Sequence, residues 1–245
     1  MRSAVFASRN AKEVLRDPLN VAFGVGFPLV VLLLLSAIQA NIPVSLFSID
    51  RLAPGIAVFG LSFFSLFAGT LIAKDRVTSL LMRLFASPLT ASDFILGYAL
   101  PLLPIAMVQV LVCFIGAFVL GLPIGTNAFV AVVSLLPAAV LFIFIGLLAG
   151  TVFNDKQVGA VCGALLVNLS AWLSGTWFDL SLVGGWFRTV AYALPFAHAV
   201  DAARAAVAGD LGSVWPHLGW VIAYAGAMAV MTALLFRSRM TGDTA

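Results

Sequence analysis

Apolar residues in this chain come in long unbroken runs rather than in alternation. Five stretches carry no charge: Leu19–Ile49, Leu52–Ala73, Phe94–Asn154, Gln157–Phe178 and Leu211–Phe236. A membrane-crossing helix needs about 20 mainly apolar residues, and the third stretch holds two such lengths. Gly121-Leu-Pro-Ile-Gly-Thr-Asn127 divides it, because Gly, Pro and Asn mark a turn. The first stretch is expected to stop near Ile38, ahead of Gln39 and Asn41-Ile-Pro43. The pattern therefore predicts six spans at roughly 19–38, 53–73, 96–120, 129–151, 157–177 and 215–236. Continuous runs suit helices and not porin strands, which alternate.

Composition agrees. The 245 residues are 62% hydrophobic and 9% charged, and the mean hydropathy is +1.13. A soluble domain is about 45–50% apolar and about 25% charged. One domain of this size cannot hide so much apolar surface from water. A soluble enzyme, a disordered chain and a disulfide scaffold are excluded, leaving an all-α integral membrane protein in the lipid bilayer. The first span is too long for the roughly 7–15-residue core of a cleaved leader, and 18 residues precede it. Ile38-Gln39-Ala40 also lacks the small residue expected at the first cleavage position.

Charge sets the orientation. With the N-terminus inside, the inner segments hold ten basic residues (Arg2, Arg9, Lys12, Arg16, Lys74, Arg76, Arg83, Lys156, Arg237 and Arg239). The outer ones hold three, Arg51, Arg188 and Arg204. This asymmetry predicts both termini in the cytoplasm. All five tryptophans fall between residues 172 and 220, around the outer interface, where indole rings prefer to sit. The net charge of +3 is spread between the apolar runs, so no basic patch for nucleic acid forms.

Three segments outside the spans carry information. Residues 1–17 read as an amphipathic helix lying on the inner leaflet, with Arg2, Arg9, Lys12, Glu13 and Arg16 on one arc; Asp17-Pro18 ends it. It is either a topological anchor or a contact for a cytoplasmic partner. In the loop 74–93, Val77, Leu80, Leu81 and Leu84 fall at helical spacing, with Arg76, Ser79 and Arg83 on other sides. Ser87-Pro88 ends this short helix, and Thr90-Ala-Ser-Asp93 is a capping-box pattern that starts the next span. The helix is either a connector packed on its own bundle or a docking element. The segment 179–213 is too polar to span and too apolar for an ordinary loop. Leu182–Leu194 and Phe196–Val207 read as two short helices broken at Pro195, with Asp201 and Arg204 three apart and able to pair. Such a pair suggests a dip into the outer leaflet and back.

Motifs for soluble chemistry are missing. The chain has no Gly-Lys pair and hence no P-loop, no HExxH, and no Asp, Glu, Lys or Arg inside the predicted spans. Cys113 and Cys162 lie in apolar stretches without a CxxC partner; they read as apolar packers, with a disulfide or metal site as the alternative. Gly146-x-x-x-Gly150 and Gly159-x-x-x-Gly163 allow close helix approach, within the chain or between copies. Ser174-Gly175 with the later His217 invites comparison with rhomboid-type intramembrane serine proteases. However, Trp172-Leu-Ser-Gly175 lacks the first Gly of that family's G-x-S-G, and His198 and His217 also read as interfacial polar residues.

Taken together, these features resemble the membrane permease subunit of type-2 ATP-binding-cassette (ABC) exporters, the group that includes drug-resistance, nodulation-factor and polysaccharide export permeases. The resemblance covers nearly all of 1–245 as one transmembrane domain. It rests on the amphipathic helix with Arg16-Asp-Pro18, six spans, the loop Lys74-Asp-Arg-Val-Thr-Ser-Leu-Leu-Met-Arg-Leu-Phe-Ala-Ser-Pro-Leu-Thr90, and Ala193-Leu-Pro-Phe196 with Asp201-x-x-Arg204. Many members begin the loop with Glu and add a second acid; here Asp75 stands alone between Lys74 and Arg76.

The resemblance implies a transport subunit without an ATPase of its own, in the inner (plasma) membrane of a bacterium. It implies an N-terminal connecting helix, a cytoplasmic coupling helix and an outer re-entrant helix pair before span six. A separate ABC ATPase subunit would hold ATP and Mg, and a second permease copy or paralogue would complete a dimer. Coupling residues would be Asp75, Arg76, Ser79, Leu80, Arg83, Phe85 and Pro88, with Arg9, Lys12, Glu13 and Arg16 on the connecting helix and Pro195, Asp201 and Arg204 in the outer segment. Uncharged span interiors suit a lipophilic or amphipathic solute, drug-like or lipid-like. The alternatives are a self-contained six-span carrier or channel and an intramembrane serine hydrolase.

Overall fold

A computed structural model describes residues 2–18, 22–43, 45–77 and 91–242. Among these residues every regular element is helical. We number them α1 (Arg2–Arg16), α2 (Ala22–Gln39), α3 (Ile49–Val77), α4 (Ala91–Val119), α5 (Thr126–Val152), α6 (Asp155–Leu173), α7 (Leu180–Val183), α8 (Gly185–Ala193), α9 (Pro195–Ala208) and α10 (Leu211–Gly242). Six of them, α2 to α6 and α10, are long and apolar enough to cross a membrane.

The helix α3 is the axis of the bundle. Of its most apolar stretch 89% is buried inside the protein, against 17% in both α2 and α10. The outer helices leave much of their apolar surface uncovered by the chain, whereas the central one hides nearly its whole circumference. The tightest seam joins α3 to α5. A Cβ on Gly146 would collide with the Ser65 carbonyl, and one on Gly150 with that of Gly69. The Gly146-x-x-x-Gly150 pattern thus serves packing within the chain. Gly163 faces the Leu66 side chain of α3, and Gly159 faces open space. On the other side α2 leans on α3 through Phe27 and Phe63, edge to face at 5.8 Å. The helix α5 is interrupted at Leu135, two residues before Pro137, whose ring and missing N–H break the ladder.

The segment between α6 and α10 differs from the two helices expected. The first is itself divided at Gly184 and Gly185, whose φ angles of +62° and +53° only glycine adopts readily. Leu194 is extended, as a residue before proline prefers, and Pro195 is the first residue of α9. The last span begins at Leu211, with its apolar run and ahead of the predicted 215, and Asp210 accepts from the N–H and hydroxyl of Ser213.

Helix ends gather at two faces. One carries α1, the ends of α3, α5 and α10 and the starts of α4 and α6; Phe94 meets Phe236 there at 5.8 Å. The far face carries α7 to α9 and the start of α3, where Arg204 reaches the Arg51 carbonyl.

Candidate functional site

On the α1 face, Asp75 is the key residue. Three and four residues before it stand Ile72 and Leu71, and seven before it Ala68, all buried. Asp75 continues that stripe at helical spacing and is therefore carried inward, with 2% of its surface exposed. A buried carboxylate must be paired. Arg9 supplies a two-pronged clamp, Nη1 to Oδ2 and Nη2 to Oδ1, both 2.9 Å. The Tyr98 hydroxyl donates to Oδ2 at 2.8 Å. Arg9 also holds Glu13 at 2.9 Å, one helical turn on. The bond to Asp75 is the main reason that the guanidinium is held even more firmly charged than usual. Beside it Asn10, wholly buried, donates to the Gly97 carbonyl at 3.0 Å. Thus α1 is fastened to the last turn of α3 and to the first turns of α4. Those two helices are the roots of the segment 78–90.

Arg76, next in sequence, turns the other way. Its Nη1 donates to the carbonyls of Gly150, Thr151 and Phe153, at 3.1, 2.9 and 3.3 Å. These include carbonyls that end α5 and lack partners within the helix, at its negative pole. Asn154 and Gln157 then close a reciprocal cap on α6. Adjacent residues of α3 therefore reach two different neighbours, α1 and α5. Of the other residues singled out in sequence, Lys12 and Arg16 are exposed on α1. Lys74 to Val77 continue α3. Ser79, Leu80, Arg83, Phe85 and Pro88 lie outside the described residues.

On the far face, Asp201 and Arg204 form the pair that their spacing foretold, at 3.9 Å. Both also reach beyond their own helix. The Tyr192 hydroxyl of α8 donates to Asp201 at 2.7 Å, and Arg204 donates to the carbonyls of Arg51 and Gly175 at 3.1 and 2.9 Å. Burial and the bond to Asp201 push the Tyr192 phenol up to about 12. Arg51 meets Asp179 at 3.5 Å across a cavity of about 570 Å³. Asp179 caps α7 by accepting from Ser181 N–H, which holds its carboxyl below the usual range.

The serine and histidine weighed as a hydrolytic pair have other partners. Ser174 bonds Thr176 at 2.7 Å, while His217 meets His198 at 2.8 Å. Cys113 and Cys162 are separate buried free thiols. Among the described residues no group of three His, Cys, Asp or Glu side chains gathers as a metal site. What this molecule offers is mechanical: a face where the N-terminal helix, two spans and a loop root are bolted together.

No curated protein and no solved structure matches the chain. The family model described as ABC-2 type transporter does match, over residues 4–208, from α1 through the end of α9. The chain therefore belongs to the ABC-2 type transporter family, as the membrane-embedded permease component that works with an ABC ATPase.

Proposed function

We propose that this permease exports a lipophilic or amphipathic solute across the plasma membrane of a bacterium, driven by an ABC ATPase docked on the α1 face. The carrying observation is the Arg9–Asp75–Tyr98 cluster, which joins α1 to both roots of the segment 78–90. A push delivered to that segment, or to α1, is shared between them and passed along α3. Arg76 hands part of it to α5. Ser79, Leu80, Arg83, Phe85 and Pro88 are the contacts we assign to the ATPase, with Lys12 and Arg16 beside them. The excess of basic residues on the α1 side, ten against three, supports placing that face and both termini in the cytoplasm. ATP and Mg belong to the partner, and a second permease, identical or paralogous, completes the translocation path. The helices α8 and α9 form the outer re-entrant pair. The uncharged span interiors support an apolar cargo.

Affinity purification from native membranes in mild detergent tests the reading. A stoichiometric P-loop ATPase should accompany the wild type and be lost from Leu80→Asp and Arg83→Asp. Full transport by liposomes holding this chain alone would overturn the proposal in favour of a self-contained carrier.

A further inference from the structure

The chain has two histidines, and both lie in one cluster on the far face. His198, on α9, is buried; its Nε2 sits 3.0 Å from the Tyr192 backbone carbonyl. A carbonyl only accepts, so this Nε2 carries the proton and the neutral ring's Nδ1 is an acceptor. His217 Nδ1, on α10, lies 2.8 Å from that Nδ1 and must donate to it. Trp220 stacks flat on His198, with ring centroids 5.3 Å apart and an interplanar angle of 4°. One proton can be added without harm, at His217 Nε2, since Nδ1 still donates. A second must go to His198 Nδ1. That destroys the only acceptor and sets two N–H groups against each other on two cations.

We propose that His198 and His217 form a proton-operated latch between α9 and α10, closed when the pair carries at most one added proton and released when it carries two.

The surroundings favour such a response. Tyr192, with Arg188 5.6 Å above its ring, faces the pair from α8. Asp201 and Arg204 flank it on α9, and Tyr224 stands beyond Trp220 on α10, donating to the Ala193 carbonyl at 2.7 Å. From α3, Asp50 and Arg51 line the cavity around Arg204. The helix α5 and the last turns of α6 bring no titratable side chain. Burial, reinforced by His217 and opposed by the Tyr192 carbonyl, holds His198 below the ordinary imidazole value. A base held low when docked favours docking at high pH. The docked state therefore loses stability as pH falls below the ordinary value of about 6.5.

The test uses the full chain, purified without a histidine tag, with ¹⁵N-histidine label, in lipid nanodiscs. At about pH 8 the two rings should show opposite tautomers, one protonated at Nε2 and one at Nδ1. Their titration should split into two steps at least tenfold apart in proton affinity. Amide-exchange protection of α9, corrected for the intrinsic rate, should fall at least tenfold across the second step. His217→Gln should lessen the loss of α9 protection, because its amide can donate to neutral His198 or accept from the protonated ring, leaving only the part that burial of His198 causes. Identical tautomers, or a single merged step with constant α9 protection, would overturn the latch, as would an unchanged loss of protection in His217→Gln. If that variant does not fold, the wild-type titration and exchange decide alone.

Discussion

On the α1 face a guanidinium holds a carboxylate; on the far face two imidazoles hold each other. In the first pair the bond to Asp75 holds the Arg9 guanidinium even more firmly charged than usual. The second has histidine at its centre, the side chain whose charge changes nearest to neutral pH. Burial and hydrogen bonding are present on both faces, so rigidity alone does not distinguish them. Under the proposed function and latch, the first fastening passes force whatever the pH and the second is conditional. That division would suit the proposed transport cycle, in which the α1 face is driven by the ATPase and the opposite face opens.

The largest expected effect comes from breaking the Arg9–Asp75 clamp on the α1 face. Arg9→Ala leaves the Asp75 carboxylate buried with Tyr98. Losing one partner of a buried ion pair costs about 3–5 kcal/mol, and the exposure of the Arg9 side chain, 40%, brings this towards about 2–3. Thermal unfolding in detergent should fall by several degrees, and Asp75→Asn added to that variant should restore part of the loss. A transition equal to that of the wild type would mean that the clamp carries no load.

Next in size, Arg76→Ala uncaps α5 and should cost about 1–2 kcal/mol, the worth of hydrogen bonds from a charged donor. Arg76→Lys should recover some of this through the helix dipole. A pH comparison sharpens the contrast further. Between about pH 8 and pH 5.5, corrected amide exchange should rise in α9 as His198 gains its proton, while α1 and the first turns of α4 stay unchanged. Parallel changes on both faces would erase the distinction. Smallest of all, Lys12→Ala and Arg16→Ala should leave the unfolding temperature where it was, because both side chains are exposed. Their effect should appear only in ATPase binding.

Much of the architecture was legible in the chain. Apolar runs gave six spanning helices, and i, i+3 spacing gave the Asp201–Arg204 pair. The sites were harder to see. Asp75 looks like the start of a polar loop, between Lys74 and Arg76. Its burial follows only if the phase of α3 is carried past the apolar run, through Leu71 and Ile72. That extrapolation was available and would have found it. Asn10 offers no comparable signal: its worth lies in the Gly97 carbonyl, 87 residues away. The histidines are 19 residues apart on different helices, and only tertiary structure joins them. The Gly146 pattern fits a contact within or between chains equally well until α3 is seen against it.

That seam has a consequence for how the gene can change. Every missense change in a glycine codon installs a Cβ, so at Gly146 and Gly150 each one drives carbon into the backbone of α3. In a saturation library these two codons should be empty columns, whereas Gly159, Gly219 and Gly226, with nothing within 4 Å, should fill with substitutions. Tolerance for substitution in this permease should therefore be wide at Gly159, Gly219 and Gly226 and nearly absent along the α3–α5 contact at Gly146 and Gly150.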